Sequence, residues 1–283
     1  MTITPTADIA LDAREKTIGV GAFNVVQIEH AHAIVRGAEA AGRPVILQIS
    51  ENTARYHGSV EPIGLASIAV ARAASVPVAV HLDHAESAGL VHEAVALGFT
   101  SVMFDAAKLP YDENVAATRE ITEYCRSRNV WVEAELGEVG GKDGAHAPGV
   151  RTDPDEARAF VAATGVDALA VAVGSSHAML TRDAVLDFPL ITRLRDAVRV
   201  PLVLHGSSGV GDTDLVRAIG AGMTKVNVST HLNKAFTQAV RSHLEADPHV
   251  ADPRKYLGPA RDTVATEVAR LLQVLSGGLG VRC

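Results

Sequence analysis

The sequence predicts an α/β protein built as one (β/α)8 TIM barrel, a single domain over residues 1–283. Three observations carry that reading. Strand-like β-branched runs alternate with helical patterns along the chain, the pattern of a parallel sheet joined by crossover helices. Eight such units occur, which favours a closed barrel over an open doubly wound sheet. A barrel of this kind runs to about 250 residues as one unit, so 283 residues leave little for a second domain. After the first strand, Asn24-Val25-Val26-Gln27 stands where a dinucleotide-binding sheet would carry a glycine-rich turn.

The elements follow in order. Strand one is the small and β-branched run 21–25, and a helix follows from about Ile28 to Ala41. Strand two is Val45-Ile46-Leu47-Gln48-Ile49-Ser50; a turn at Gly58 leads to an Ala-rich helix from Pro62 to Ala74. Strand three begins at Val78 and ends at Asp83-His84, with its helix from Ser87 to Leu97. Strand four is 101–105 with a helix from Asp112 to Arg128, and strand five is 130–136, followed by a glycine-rich loop to Gly149. Thr152 or Asp153 can cap the next helix, Pro154 fits its first turn, and Asp155 and Glu156 complement its dipole. Strand six is 168–174, strand seven 201–204 and strand eight 225–230. Helices from His231 to Glu245 and from about Pro259 to Leu275 close the chain.

Composition narrows the function. Apolar residues make up 47% and aromatics only 4%, which suits β-branched strands packed on Ala-rich helices. The formal net charge of −7 argues against a nucleic-acid or anionic-membrane partner. An anionic substrate would therefore need local positive potential from a metal, an arginine or helix amino ends. Cys125 and Cys283 form no disulfide framework and suit a reducing cytoplasm. Residues 1–12 lack a signal pattern, and no apolar run approaches a membrane span. A soluble cytoplasmic protein is the expectation.

The chemistry centres on Val78-Ala79-Val80-His81-Leu82-Asp83-His84. Neighbouring side chains on a strand point to opposite faces, so Asp83 and His84 converge only if the chain turns at His84. The carboxyl ends of barrel strands are where such folds keep their chemistry. Two later runs also end in histidine, at His177 and His205. Any one of the 12 histidines alone reads as an ordinary loop residue. Three at the ends of strands three, six and seven read as a metal site, since catalytic zinc typically takes three protein ligands and keeps a position open. His81 reads as structural, and His30, His32, His92 and His243 as surface residues on helix bodies. Asp105 and Glu135 end strands four and five. Asp105 is either a loop cap or a partner or ligand for a cation, and Glu135 leans towards function. Barrels often bind phosphate in the loops after strands seven and eight. Here those loops are Gly206-Ser207-Ser208-Gly209 and Asn227-Val228-Ser229-Thr230.

With these motifs in this order, and Lys225 opening the last of them, the chain resembles class II ketose-bisphosphate aldolases, the zinc-dependent fructose- and tagatose-bisphosphate family. The resemblance covers essentially the whole chain, and Val102-Met103-Phe104-Asp105, Glu133-Ala134-Glu135-Leu136-Gly137 with Gly140-Gly141, and Asp252-Pro253-Arg254 match further family segments. It implies reversible cleavage of a ketose 1,6-bisphosphate to dihydroxyacetone phosphate and an aldehyde. One Zn2+ would be held by His84, His177 and His205, with Glu135 and Asp105 matching carboxylates near the metal and a second cation within their compass. Asp83 would exchange the proton of the aldehyde-derived hydroxyl. The segments from Gly206 through Ser207 to Ser208 and from Asn227 through Val228 and Ser229 to Thr230 would hold dihydroxyacetone phosphate. Arg254 matches an arginine that reaches a neighbouring subunit's site and binds the distal phosphate, so a homodimer or homotetramer is implied.

Two departures from the family pattern stand out. Asp143, beside Lys142, occupies the place of a loop glutamate that serves the C3 proton, one methylene shorter. Ala178 replaces the usual glycine after the loop-six histidine, at a backbone amide that should meet the phosphate. Two other readings remain. A Schiff-base aldolase needs an interior lysine, and Lys225 alone lies on an expected strand, at its amino end. A sugar-phosphate-binding protein without turnover would explain the altered Gly141-Lys142-Asp143 loop but not the retained Asp83 and three histidines.

Overall fold

The structure, a computed structural model, describes residues 3–136, 151–177 and 179–277. Eight parallel strands form a closed barrel: β1 (Val20–Asn24), β2 (Val45–Ser50), β3 (Val78–Ala85), β4 (Ser101–Phe104), β5 (Trp131–Leu136), β6 (Ala168–Val171), β7 (Leu202–Leu204) and β8 (Met223–Val228). Each pairs with the next, and β8 closes on β1 with Ala22 opposite Asn227. The helices are α1 (Thr6–Glu15), α2 (Ile28–Ala41), α3 (Glu51–His57), α4 (Glu61–Ala73), α5 (Ala88–Leu97), α6 (Tyr111–Arg126), α7 (Pro154–Thr164), α8 (Phe188–Ala197), α9 (Asp212–Ala221), α10 (Thr230–Ala246) and α11 (Arg254–Leu275). No helix among the described residues is long and apolar enough to cross a membrane.

Local chemistry sets most of these boundaries. Ser50 caps α3 by accepting from the Thr53 amide, and Asp153 caps α7 by accepting from the Asp155 and Glu156 amides. Thr152, the other candidate cap, instead ties β5 to β6: its hydroxyl donates to the Leu136 carbonyl and accepts from the Ala172 amide. Two helices were not expected, α1 and α3. The first closes the amino-terminal end of the barrel: Ile9 and Ala13 pack with Val20, Ala22, Ile46 and Ala79, and Ala10 with Trp131, Ala168, Ala170 and Val203. Its Thr6 hydroxyl bonds Ser101 at 2.6 Å. The main core lies between the outer face of the strands and the surrounding helices.

The last helix begins at Arg254, five residues before the expected Pro259, which lies inside it. Proline's fixed φ is compatible with a helix, but at the sixth position Pro259 lacks the amide that would bond the Lys255 carbonyl, so the helix carries it one turn past the place where proline costs nothing. The carboxyl end of α11 is fastened low on the barrel, where Leu275 accepts from the Gly19 amide. His231 at the start of α10 bonds Glu267 at 2.6 Å. From Glu267 back towards Arg254, α11 lies along α2 and α10, with Asp262 bonded to Arg36 of α2.

His30, expected at the surface, is only 4% exposed, with its ring 4.9 Å from Phe236 where α2 meets α10. Neither ring nitrogen has a hydrogen-bond partner among the described residues, and burial lowers its pKa to about 4 from 6.5. The folded chain thus refuses a proton that the unfolded chain takes up below pH 6.5. This contribution to stability is present above 6.5 and is lost as pH falls towards 4, amounting to about 3 kcal/mol. Denaturant titrations across that window should show a smaller acid loss in His30→Leu than in wild type. Equal losses would count against it.

Candidate active site

Asp83 and His84 meet at one mouth because β3 does not end cleanly. The pairing of β3 with β4 shifts register between Leu82 and Ala85, and His84 adopts a φ of +50°. Asp83 stays on the inward parity of His81, while the left-handed residue at the bulge swings the next side chain to the same side. Behind it, Asp105 Oδ2 lies 3.1 Å from His84 Nδ1.

Three imidazoles converge here. The ring centroids are 4.6 Å apart for His84 and His205, 5.2 Å for His84 and His177, and 5.7 Å for His177 and His205. With Glu135 they form a group in which one donor atom from each residue lies within 4.8 Å of every other. His205 shows how the group is aimed. Its Nε2 bonds Glu133 Oε1 at 2.9 Å, and Glu133 Oε2 is 2.8 Å from the Lys225 ammonium. Donation from Nε2 leaves Nδ1 turned towards Glu135, 3.2 Å away. Burial works against protonating His205, but bonds and charge from Glu133 and Glu135 overcome it and raise its pKa to about 9. Burial likewise opposes ionisation of Glu133, and Lys225, then His205, hold it well below the usual carboxylate range. Three imidazoles and a carboxylate with this surplus of negative charge fit a divalent cation that accepts nitrogen and oxygen.

Asp83 is pinned from two sides. Asn24 Nδ2 donates to its Oδ2 at 3.1 Å, and Asn227 Nδ2 approaches Oδ1 at 3.4 Å. Gln48 Nε2 donates to Asn24 Oδ1 at 2.7 Å, and Lys225 Nζ to Asn227 Oδ1 at 2.8 Å. Both amides are thereby held with their NH2 groups towards Asp83. Burial disfavours its charge, but His84, then His205 and Lys225, outweigh it and bring its pKa down to about 2. A buried carboxylate that stays ionised beside an open cavity can take a proton.

That cavity measures about 460 Å3. Asn24, Asp83, His84 and His177 line it, with Gly206, Ser208, Asn227, Ser229 and Thr230 on the side of β7 and β8. Gly206 has a φ of +64°, and a β-carbon there would stand 2.6 Å from the Ser176 carbonyl. Only glycine lets this loop lie so close to the segment carrying His177. At the start of α10 the His231 amide donates to Ser208 Oγ at 3.2 Å and the Leu232 and Asn233 amides donate to the Ser229 carbonyl, which ties the loop after β8 to the one after β7.

A family model described as "Fructose-bisphosphate aldolase class-II" matches residues 4–278. The chain belongs to this family. It is a class II aldolase, and so a carbon–carbon lyase. It is 40% identical to a fructose-bisphosphate aldolase of Geobacillus stearothermophilus over 98% of this chain and 99% of the relative. It is also 40% identical to one of Staphylococcus aureus over 95% of each. Among solved structures, it superposes on the YdjI aldolase of Escherichia coli K12 with a TM-score of 0.86 and 33% identity, covering 98% of this chain and 99% of the other.

Not every residue that the family pattern indicated stands where it was expected. Asp105, read from the sequence as a loop cap or as a partner or ligand for a cation, is outside the four-residue group and lies against His84 Nδ1 as its partner. Ser207 is buried and its hydroxyl donates to the Asn227 carbonyl, tying the two phosphate-side loops together instead of facing the cavity. Val228 is also buried and outside the lining, where only its backbone could serve. Arg254, expected to serve a neighbouring subunit's site, does not line this chain's cavity; its side chain is 89% exposed and bonded to Asp252. Asp143 and Ala178 lie outside the described residues.

Lys225 corrects another expectation. It is in the middle of β8, fully buried and turned inward, not at the strand's amino end. Its ammonium is held by Glu133 and Asn227 and does not line the cavity, which removes it as a Schiff-base nucleophile. Asn24 and Gln48, whose places at early strand ends fit mouth lining and ordinary barrel packing equally well, and Glu133, for which the sequence suggests no role, orient Asp83 and His205. Parity offered one signal: Glu133 precedes Glu135 by two positions, and Lys225 likewise precedes Asn227.

Proposed function

We propose that this class II aldolase cleaves a ketose 1,6-bisphosphate, fructose- or tagatose-bisphosphate, reversibly to dihydroxyacetone phosphate and an aldehyde. His84, His177 and His205 would hold one Zn2+, with Glu135 close enough to join them. The observation that supports this most is Asp83, held by two amides, lining one cavity with His84 and His177 of the three-imidazole group and with Gly206, Ser208 and Ser229. A zinc ion bound there supplies Lewis acidity for the electrons released by carbon–carbon cleavage.

The chain's own groups do the rest. Gly206, Ser208, Ser229 and Thr230 anchor the C1 phosphate. Asp83 takes the C4 hydroxyl proton in the cleavage direction and returns it in synthesis. Asn24 and Asn227 keep its two oxygens aimed while it does so. Glu133 and Lys225 keep His205 in the tautomer that offers Nδ1. By correspondence with the family, Asp143 serves the C3 proton. Arg254 serves the distal phosphate of a neighbouring copy in a homodimer or homotetramer, a role that its exposed position permits.

Triose phosphate release from fructose- and tagatose-bisphosphate, measured on zinc-loaded and chelator-treated protein, tests this reading. Turnover that needs zinc and returns when zinc is restored is the expected result. Turnover indifferent to complete metal removal would exclude the metal role, and no release from any ketose bisphosphate would exclude the activity.

A further inference from the structure

Four charged side chains in the same cavity have no part in the chemistry above: Glu51 and Arg55 of α3, Glu86 just after β3, and Lys108 after β4. In an eight-stranded ring the ends of β3 and β4 lie across from those of β7 and β8. Glu51 accepts from the Glu86 amide and Lys108 pairs with the Glu86 carboxylate, so the quartet gathers on the β2–β4 side of the cavity, away from the loops after β7 and β8. A ketose with its C1 phosphate on the loops and its C4 hydroxyl at Asp83 must lay C5 and C6 towards the quartet.

We infer that Arg55 and Lys108 bind the terminal anionic group of the aldehyde half and set the preference for a bisphosphate over a ketose 1-monophosphate. This rests on the aldolase reading above. The way the two cations are mounted supports it. Glu51 is buried, and its Oε2 accepts from the Glu86 amide at 2.7 Å, which bolts its carboxylate to the loop after β3. Its other oxygen holds Arg55 Nη2. Arg55 Nη1 reaches Asn52 at 3.5 Å, so most of its five N–H groups keep room for a planar, bidentate partner. The arginine side chain is 65% exposed and that of Lys108 64%.

Lys108 is mounted differently. Its ammonium sits 2.9 and 3.1 Å from the two oxygens of Glu86, a carboxylate at the cavity wall standing where an incoming anion would bind. An exposed pair of this kind contributes little, so a phosphate dianion can take its place. Arg55 then forms a fixed clamp and Lys108 an exchangeable one, both within a single chain.

The test is the ratio of kcat/KM for a ketose 1,6-bisphosphate to that for the matching ketose 1-monophosphate. Arg55→Ala and Lys108→Ala should each lower this ratio about tenfold, and the double variant about a hundredfold, as loss of charge-assisted bonds to a phosphate predicts. Glu86→Gln should raise it, because Lys108 loses its competing carboxylate. A purely structural role would depress both substrates together and leave the ratio alone. A double variant with a ratio within about twofold of wild type, well short of one lost charged bond, overturns the inference. Exchange of the C3 proton of dihydroxyacetone phosphate by the wild-type enzyme separates the two levels. If exchange occurs and the ratio is unmoved, this inference alone fails; if the enzyme neither exchanges nor cleaves, the aldolase reading fails and takes the inference with it.

Discussion

His205→Ala should strip the enzyme of its metal and of its activity together. His205 is the nearer of the other two rings to His84, 4.6 Å between centroids, and faces Glu135 through Nδ1. Two imidazoles and a carboxylate would remain, one donor fewer than the four that now converge. A Lewis acid supplies several kcal/mol of charge stabilisation, and each 1.4 kcal/mol or so is tenfold in rate, so the drop should be about a thousandfold or more. The substitution also removes one partner of a buried carboxylate, Glu133, leaving it Lys225 at 2.8 Å and His81 at 3.9 Å. Some loss of stability is expected from that, so metal content is to be read on protein whose cooperative melting is intact. A folded variant that binds zinc stoichiometrically and turns over normally would contradict the ligand assignment.

Asp83→Asn should leave metal in place and slow turnover by about a hundredfold to ten-thousandfold, the range that a positioned acid–base group supplies. The two side chains are nearly the same size, so the shape of the site is kept. The hydrogen-bond chemistry is not. Asn24 and Asn227 both present NH2 donors to Asp83, and an asparagine can accept from only one of them without turning an amide against Gln48 or Lys225. Inductively coupled plasma analysis of zinc, alongside single-turnover cleavage, separates the two effects. With the carboxylate held ionised down to about pH 2 by His84, His205 and Lys225 against the cost of burial, its loss should weaken cleavage across the working pH range. A variant cleaving at wild-type rate would remove Asp83 from proton transfer.

Much of the fold was legible in the chain because its signals are local. Runs such as 45–50 are β-branched and short, and Asp153-Pro154 opens a helix by capping and fixed φ. Histidines at three strand ends needed only one general rule, that barrel strands end on one face, to be brought together. The turn at His84 was also readable, since alternation forbids adjacent residues from sharing a face. The form it takes, a bulge with positive φ inside a continuing strand, was not.

Residue order determined the eight strands and the helices that alternate with them, the cap at Asp153, and the three histidines at strand ends. Tertiary structure alone decided the polar interior beneath it: Lys225 between Glu133 and Asn227, Gln48 behind Asn24, Asp105 behind His84. It also decided that His30 is buried under α10 and that α1 seals the barrel floor. The difference is one of range. Periodicity and capping act within a few residues of chain, whereas a strand's inward parity, its register against neighbours and the partner a buried charge finds depend on side chains tens to more than a hundred positions away.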